Sequence, residues 1–139
     1  MKTLIAAALL LAAPAAAYAQ DSGRITFEFA TARAEGAVML ALFDSADAYA
    51  GRGAPVANRM VPVGADGASV TFEDLPAGDY AMRAFHDVNG DGQMNTNPFG
   101  MPTEPYAFSN NAVGNMGPAS WDRASFRVDG AVTQVIELK

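Results

Sequence analysis

The chain has 139 residues, 9 basic and 15 acidic side chains, a net charge of −6, one histidine and no cysteine. The missing thiol excludes disulfides, thiolate metal sites and a cysteine nucleophile. The acidic balance repels nucleic acid and anionic lipid, so neither is an expected partner.

Residues 1–19 read as a signal peptide. Lys2 supplies the positive start, residues 4–13 an apolar run too short to span a bilayer well, and Ala17-Tyr18-Ala19 a small-x-small cleavage site. Cleavage after Ala19 would leave residues 20–139 as a single domain, periplasmic or secreted, with no membrane span after signal removal.

From there the period is two. Residues 24–29 alternate and predict a strand with Ile25, Phe27 and Phe29 inward. Residues 36–43 are nearly all apolar, which suits a central strand covered on both sides, with Val38, Leu40 and Leu42 sharing a face. Residues 45–51 predict a short helical turn capped by Ser45. Residues 56–63 make a weaker strand, and Pro62 pushes it to an edge. A turn at 65–68 leads to a strand over 68–72. After Leu75-Pro76-Ala77-Gly78 comes the strand 80–86. Tyr80, Met82, Ala84 and His86 share one face of it; Ala81, Arg83 and Phe85 share the other. Residues 88–120 form a long connection. Residues 124–128 and 132–138 predict a hairpin across Asp129-Gly130. About seven short strands broken by Gly, Pro and Asp turns predict an all-β fold, an antiparallel β-sandwich (Ig-like or prealbumin-like) with one long ordered loop. Such a sandwich has a packed core, so a site is expected on loops at one end.

Structureless connections beyond about 12–15 residues are uncommon in compact domains and usually functional or disordered. Phe99, Met101, Tyr106, Phe108 and Trp121 are too apolar for a solvated tether, so this one is expected to be ordered. It begins with Asp87, Asn89, Asp91 and Gly92. Laid on a twelve-residue calcium loop, these take positions one, three, five and six. Gln93 offers its carbonyl at seven and Asn95 falls at nine. Position twelve is Pro98 where a bidentate Glu belongs, and a strand leads in, so this is not an EF-hand. A shorter calcium loop at 87–95 would complete its shell with Glu104 or Asp122 and water, in a structural role. The other reading is metal-free turn chemistry, because Asn89-Gly90 and Asp91-Gly92 are strong turn dipeptides and Asp87 can accept backbone N–H groups.

Other residues carry weaker signals. His86 beside Asp87 suggests an acid–base pair, but its face is shared with Tyr80 and Met82, which favours a buried histidine. Ser109, His86 and Asp87 could be assembled into a triad, yet no nucleophile-elbow pattern surrounds Ser109. One histidine cannot supply zinc catalysis. Met94, Met101 and Met116 near His86 are soft ligands for Cu(I), or gap-fillers under a lid. Phe99, Tyr106, Phe108 and Trp121 form either a stacking platform for a sugar or peptide, or the loop's own small core.

Two resemblances follow. Residues 70–83, with Leu75-Pro76-Ala77-Gly78-Asp79-Tyr80 at their centre, resemble the corresponding segment of transthyretin-like and carboxypeptidase-regulatory-like sandwiches. His86-Asp87-Val88-Asn89-Gly90-Asp91-Gly92, then residues 97–111 and on through 121–126, resemble an exported bacterial family catalogued as domain of unknown function 2141. In that family's pattern an acid is common where Asn95 stands and a glycine where Ala107 stands; the first departure removes a carboxylate ligand. The resemblance implies fold and export and assigns no activity. The expectation is an exported, non-enzymatic binding or scaffold module for a small-molecule or protein ligand. One alternative is a hydrolase-like enzyme using His86, Asp87 and Glu104 in a loop-lined cleft. The other is a subunit of an envelope assembly that docks through an edge strand such as 56–63.

Overall fold

The computed structural model describes residues 22–139; the expected leader and its cleavage site lie outside them. Eight strands follow in order: β1 Gly23–Ala30, β2 Ala37–Phe43, β3 Ala57–Pro62, β4 Ala68–Leu75, β5 Gly78–Asp87, β6 Tyr106–Phe108, β7 Phe126–Val128 and β8 Ala131–Glu137. The four-residue helix α1 spans Trp121–Ala124. No helix among the described residues is long and apolar enough to cross a membrane.

The strands make two packed sheets, one ordered β4-β1-β8 and the other β3-β2-β5-β6, with β7 also pairing to the start of β5. The expected inward residues face one another across the interior. Ile25, Phe27 and Phe29 of β1 pack on Val38, Leu40 and Leu42 of β2 and on Tyr80 and Met82 of β5. Phe27 is fully buried, with Phe72 and Phe126 edge-on at 6.3 and 6.1 Å. Burial of one such side chain contributes about 2–3 kcal/mol. Ser45 caps its turn as expected, its Oγ accepting from the Ala48 N–H at 3.2 Å. β3 lies at a sheet edge with Pro62 at its end.

Three expectations are corrected. Residues 124–128 and 132–138 do not form a hairpin. β7 pairs antiparallel with β5, whereas β8 crosses to the other sheet and runs parallel to β1, with Ile25 opposite Val132 and Phe29 opposite Ile136. Asp129-Gly130 does turn the chain, with Gly130 at φ 104°. The chain leaves that turn toward the other sheet because Ile136 and Leu138 reach the main core there. The connection 88–120 also contains a strand, β6, whose Ala107 is opposite Ala84 of β5. Three residues are too few to show a period. Finally, β2 is not covered evenly on both sides: Val38, Leu40 and Leu42 are buried, while Met39 and Ala41 are only half-buried.

That outward face of the larger sheet positions the site. At one end it carries a second small core of Phe43, Tyr49, Ala81, Phe108, Ala119 and Ala124, roofed by the turn after β2 and by α1. The connection 109–124 is locked there by its polar residues. Ser109 is fully buried; its hydroxyl donates to the Ala124 carbonyl and accepts from the Met82 N–H at 2.9 Å. The Asn110 amide donates to the Arg123 and Ser125 carbonyls, and the Asn111 amide to that of Val135. At the other end the sheet face is open.

Candidate functional site

The loop leaving β5 is built on two buried carboxylates. Asp87, 3% exposed, accepts at Oδ1 from the Gly90 and Asp91 N–H groups at 2.9 and 3.2 Å, and at Oδ2 from Gly92 N–H at 2.8 Å. Gly90 and Gly92 have φ of 73° and 76°, a left-handed bend that turns those N–H groups inward. Glu104, 8% exposed, joins the loop from sixteen residues downstream of Val88. Its Oε1 accepts from Val88 N–H at 3.0 Å and its Oε2 from Asn95 N–H at 3.2 Å. Both ends of the bend are therefore held by one side chain. The structure does bring Asp87 and Glu104 to the same loop.

Asn89, Asp91 and Asn95 converge on its solvent side. The Asn89 amide donates to Asn95 Oδ1 at 3.0 Å and to Asp91 Oδ2 at 3.3 Å, and the Asn95 amide donates to Asp91 Oδ2 at 2.8 Å. Gln93 is exposed and enters through its N–H, 2.9 Å from Asp91 Oδ1. The Asn95 amide above all, then the Gln93 N–H, lowers the Asp91 pKa below the ordinary carboxylate value. No three His, Asp or Glu side chains among the described residues lie close enough to share a metal ion. Any cation here would rely on amide oxygens beside Asp91.

His86 is 1% exposed and on the core face of β5. Its Nε2 lies 2.6 Å from the Glu35 carbonyl, to which it donates, since a carbonyl only accepts. Gly36 alongside has φ 72°, and a Cβ there would stand 2.1 Å from the Asp87 carbonyl oxygen. His86 thus tethers the turn before β2 instead of lining a cleft. Ser109 is likewise locked in the fold.

Beyond the acidic bend the chain folds back as a flap over the open sheet face. Asn97 fixes its tip, accepting at Oδ1 from the Phe99 and Met101 N–H groups at 2.9 and 3.1 Å. Phe99 consequently projects, 89% exposed. Between flap and sheet runs a groove of about 1170 Å³. Five of the six methionines among the described residues line it: Met39 and Met60 from paired positions of β2 and β3, Met94 and Met101 from the flap, and Met116 from the connection after β6. The expected aromatic platform is divided. Trp121 packs on Tyr49 at 5.8 Å, while Phe99, Tyr106 and the largely buried Phe108 border the groove.

The groove wall contains two cations, Arg59 and Arg83, and no carboxylate among the described residues. Arg59 is opposite Leu40, a core position, and its guanidinium lies 5.2 Å over Phe72 of the other sheet. Arg83 instead belongs to the outward face, opposite Ala41 on one side and Phe108 on the other. Its guanidinium lies 4.1 Å over the Tyr49 ring and 5.8 Å from that of Phe43. Burial raises the Tyr49 pKa, and the nearby Arg83 charge partly offsets this. The Arg83 Nε is buried without a hydrogen-bond partner, which costs about 1–3 kcal/mol.

The family model described as an uncharacterized protein conserved in bacteria, DUF2141, matches residues 30–136. The chain belongs to the DUF2141 family. No curated protein and no solved structure matches it, so the transthyretin-like resemblance of residues 70–83 gains no support beyond the sandwich itself. The DUF2141 match runs from the end of β1 almost to the end of β8 and so takes in the acidic bend, the flap and the groove.

Asp87, Asn89, Asp91 and Asn95 are visible in the sequence because they fall within one short stretch, 87–95. Arg83, Met39 and Met60 were not singled out. The available signal was the outward register of β2 and β5, where Met39, Ala41 and Phe85 stand at positions a solvated sheet face would fill with polar residues.

Proposed function

We propose that this is an exported, non-enzymatic binding module whose ligand is an apolar small molecule seated between flap and sheet. The observation that carries this reading is the groove itself: about 1170 Å³, walled by five methionines and the edges of exposed aromatics. Unbranched thioether side chains adapt to varied apolar shapes. Contiguous exposed apolar surface of this kind marks a binding site. The bend closed by Asp87 and Glu104 is the fixed root from which the flap reaches over the sheet. The test uses 1-aminoanthracene, a neutral fluorophore that brightens in apolar surroundings. Enhancement is expected with the protein and is expected to be lost in Met39→Asp at an unchanged melting temperature. No enhancement with the parent protein would overturn the reading.

A structural calcium ion at 87–95 is a second reading, favoured by the convergence of Asn89, Asp91 and Asn95. The two amides now present N–H groups to Asp91; turned over, each would present an oxygen instead. The ion would then stiffen the flap root by binding the folded state alone. A rise in melting temperature with millimolar calcium, lost in Asp91→Ala, is the expected result. An unchanged melting temperature would reduce the bend to turn chemistry.

A further inference from the structure

We infer that the ligand of the groove is an anionic amphiphile, a carboxylate head group on an apolar chain, with the head group on Arg83; this rests on the binding reading above. The protein carries 15 acidic side chains against 9 basic ones, yet no carboxylate reaches the groove wall among the described residues. Arg24, Arg33, Arg52, Arg127 and Lys139 each pair with an acid. Arg59, Arg83 and Arg123 pair with no acid among the described residues; of the two in the groove wall, Arg59 turns over Phe72 of the other sheet, and Arg83 lies on the outward face among aromatic rings. An arginine in such surroundings attracts an anion more strongly than one in open water. Its planar fork matches a carboxylate in two parallel hydrogen bonds. Tyr49 covers one face of the guanidinium at 4.1 Å, so an anion must approach along the edge. Its Nε is a buried donor with no partner among the described residues. A single cation on that outward face suits a singly charged head better than a phosphate dianion. The rest of the wall offers thioethers, Pro102, Pro118 and ring edges, which suit an alkyl chain. The volume exceeds the roughly 300–1,000 Å³ of ordinary ligand pockets and leaves room for a chain of about ten carbons.

The test compares decanoate, decanol and decyltrimethylammonium by calorimetric titration, each below its micellar concentration. Decanoate is expected to bind at least tenfold more tightly than decanol, and the ammonium compound more weakly than either. Arg83→Gln should remove the difference between decanoate and decanol. Because Arg83 also packs on Tyr49, a second variant guards against misfolding. Ala41→Glu sets a carboxylate at the position opposite Arg83 and should likewise abolish the preference for decanoate with Arg83 retained. Equal binding of decanoate and decanol to the parent protein, or a preference that survives both substitutions, would overturn the head-group assignment and leave the apolar groove standing. Failure of decanol and decanoate alike would overturn the groove reading and this inference with it.

Discussion

A single carboxylate does most to shape the loop after β5. Asp87 is buried and accepts three backbone N–H groups. In Asp87→Asn one oxygen becomes a donor and faces N–H groups. The expected loss of stability is about 2–4 kcal/mol, read from urea unfolding. Asp91 behaves differently because it is exposed. Its pKa is lowered in the folded loop, so its contribution is present above the unfolded value, about 3.9, and fades as pH falls through the still lower folded value. An acid titration followed by NMR should show the Asn95 side-chain amide and Gln93 backbone amide signals shift together in that window. Movement of these signals near neutral pH would contradict the hydrogen-bond assignment. The same two residues show why motif spacing identified the loop without deciding its chemistry. Spacing places oxygens on one side of a bend, but whether they meet a cation or N–H groups depends on amide orientation.

Among the elements, the flap depends on Glu104, which links Val88 and Asn95 across the bend. Glu104→Gln keeps one acceptor and puts N–H groups at the other. Exchange protection of the Val88 and Asn95 amides should fall at least tenfold, while protection in β1 stays unchanged. Equal protection in both proteins would mean that the flap is held elsewhere. Strand legibility varied for a physical reason. In β1 alternation is strong, because one face meets the core of the sandwich and the residues between are polar or small. β2 reads as one continuous apolar run, since its second face borders a groove and not solvent. β6 is too short to show any period.

For the molecule as a whole, closure rests on β8. It adds a parallel strand to β1, buries Ile136 in the core, and receives the Asn110 and Asn111 clamps from the connection after β6. Deletion of residues 131–139 should therefore abolish cooperative thermal unfolding, followed by circular dichroism, and expose β1 as an aggregating edge. A deletion mutant that still melted cooperatively would show that the two sheets hold without this strand. The sequence by itself determined the all-β class, the inward residues of β1 and β5, the edge position of β3 and the location of the acidic bend. Each of these follows from period-two patterning or local turn chemistry, which act between near neighbours. Tertiary structure alone decided that β7 and β8 part into different sheets, that Glu104 reaches back to Val88, and that five dispersed methionines and Arg83 share one groove. Those outcomes depend on which distant apolar faces find each other, and burial is blind to distance along the chain.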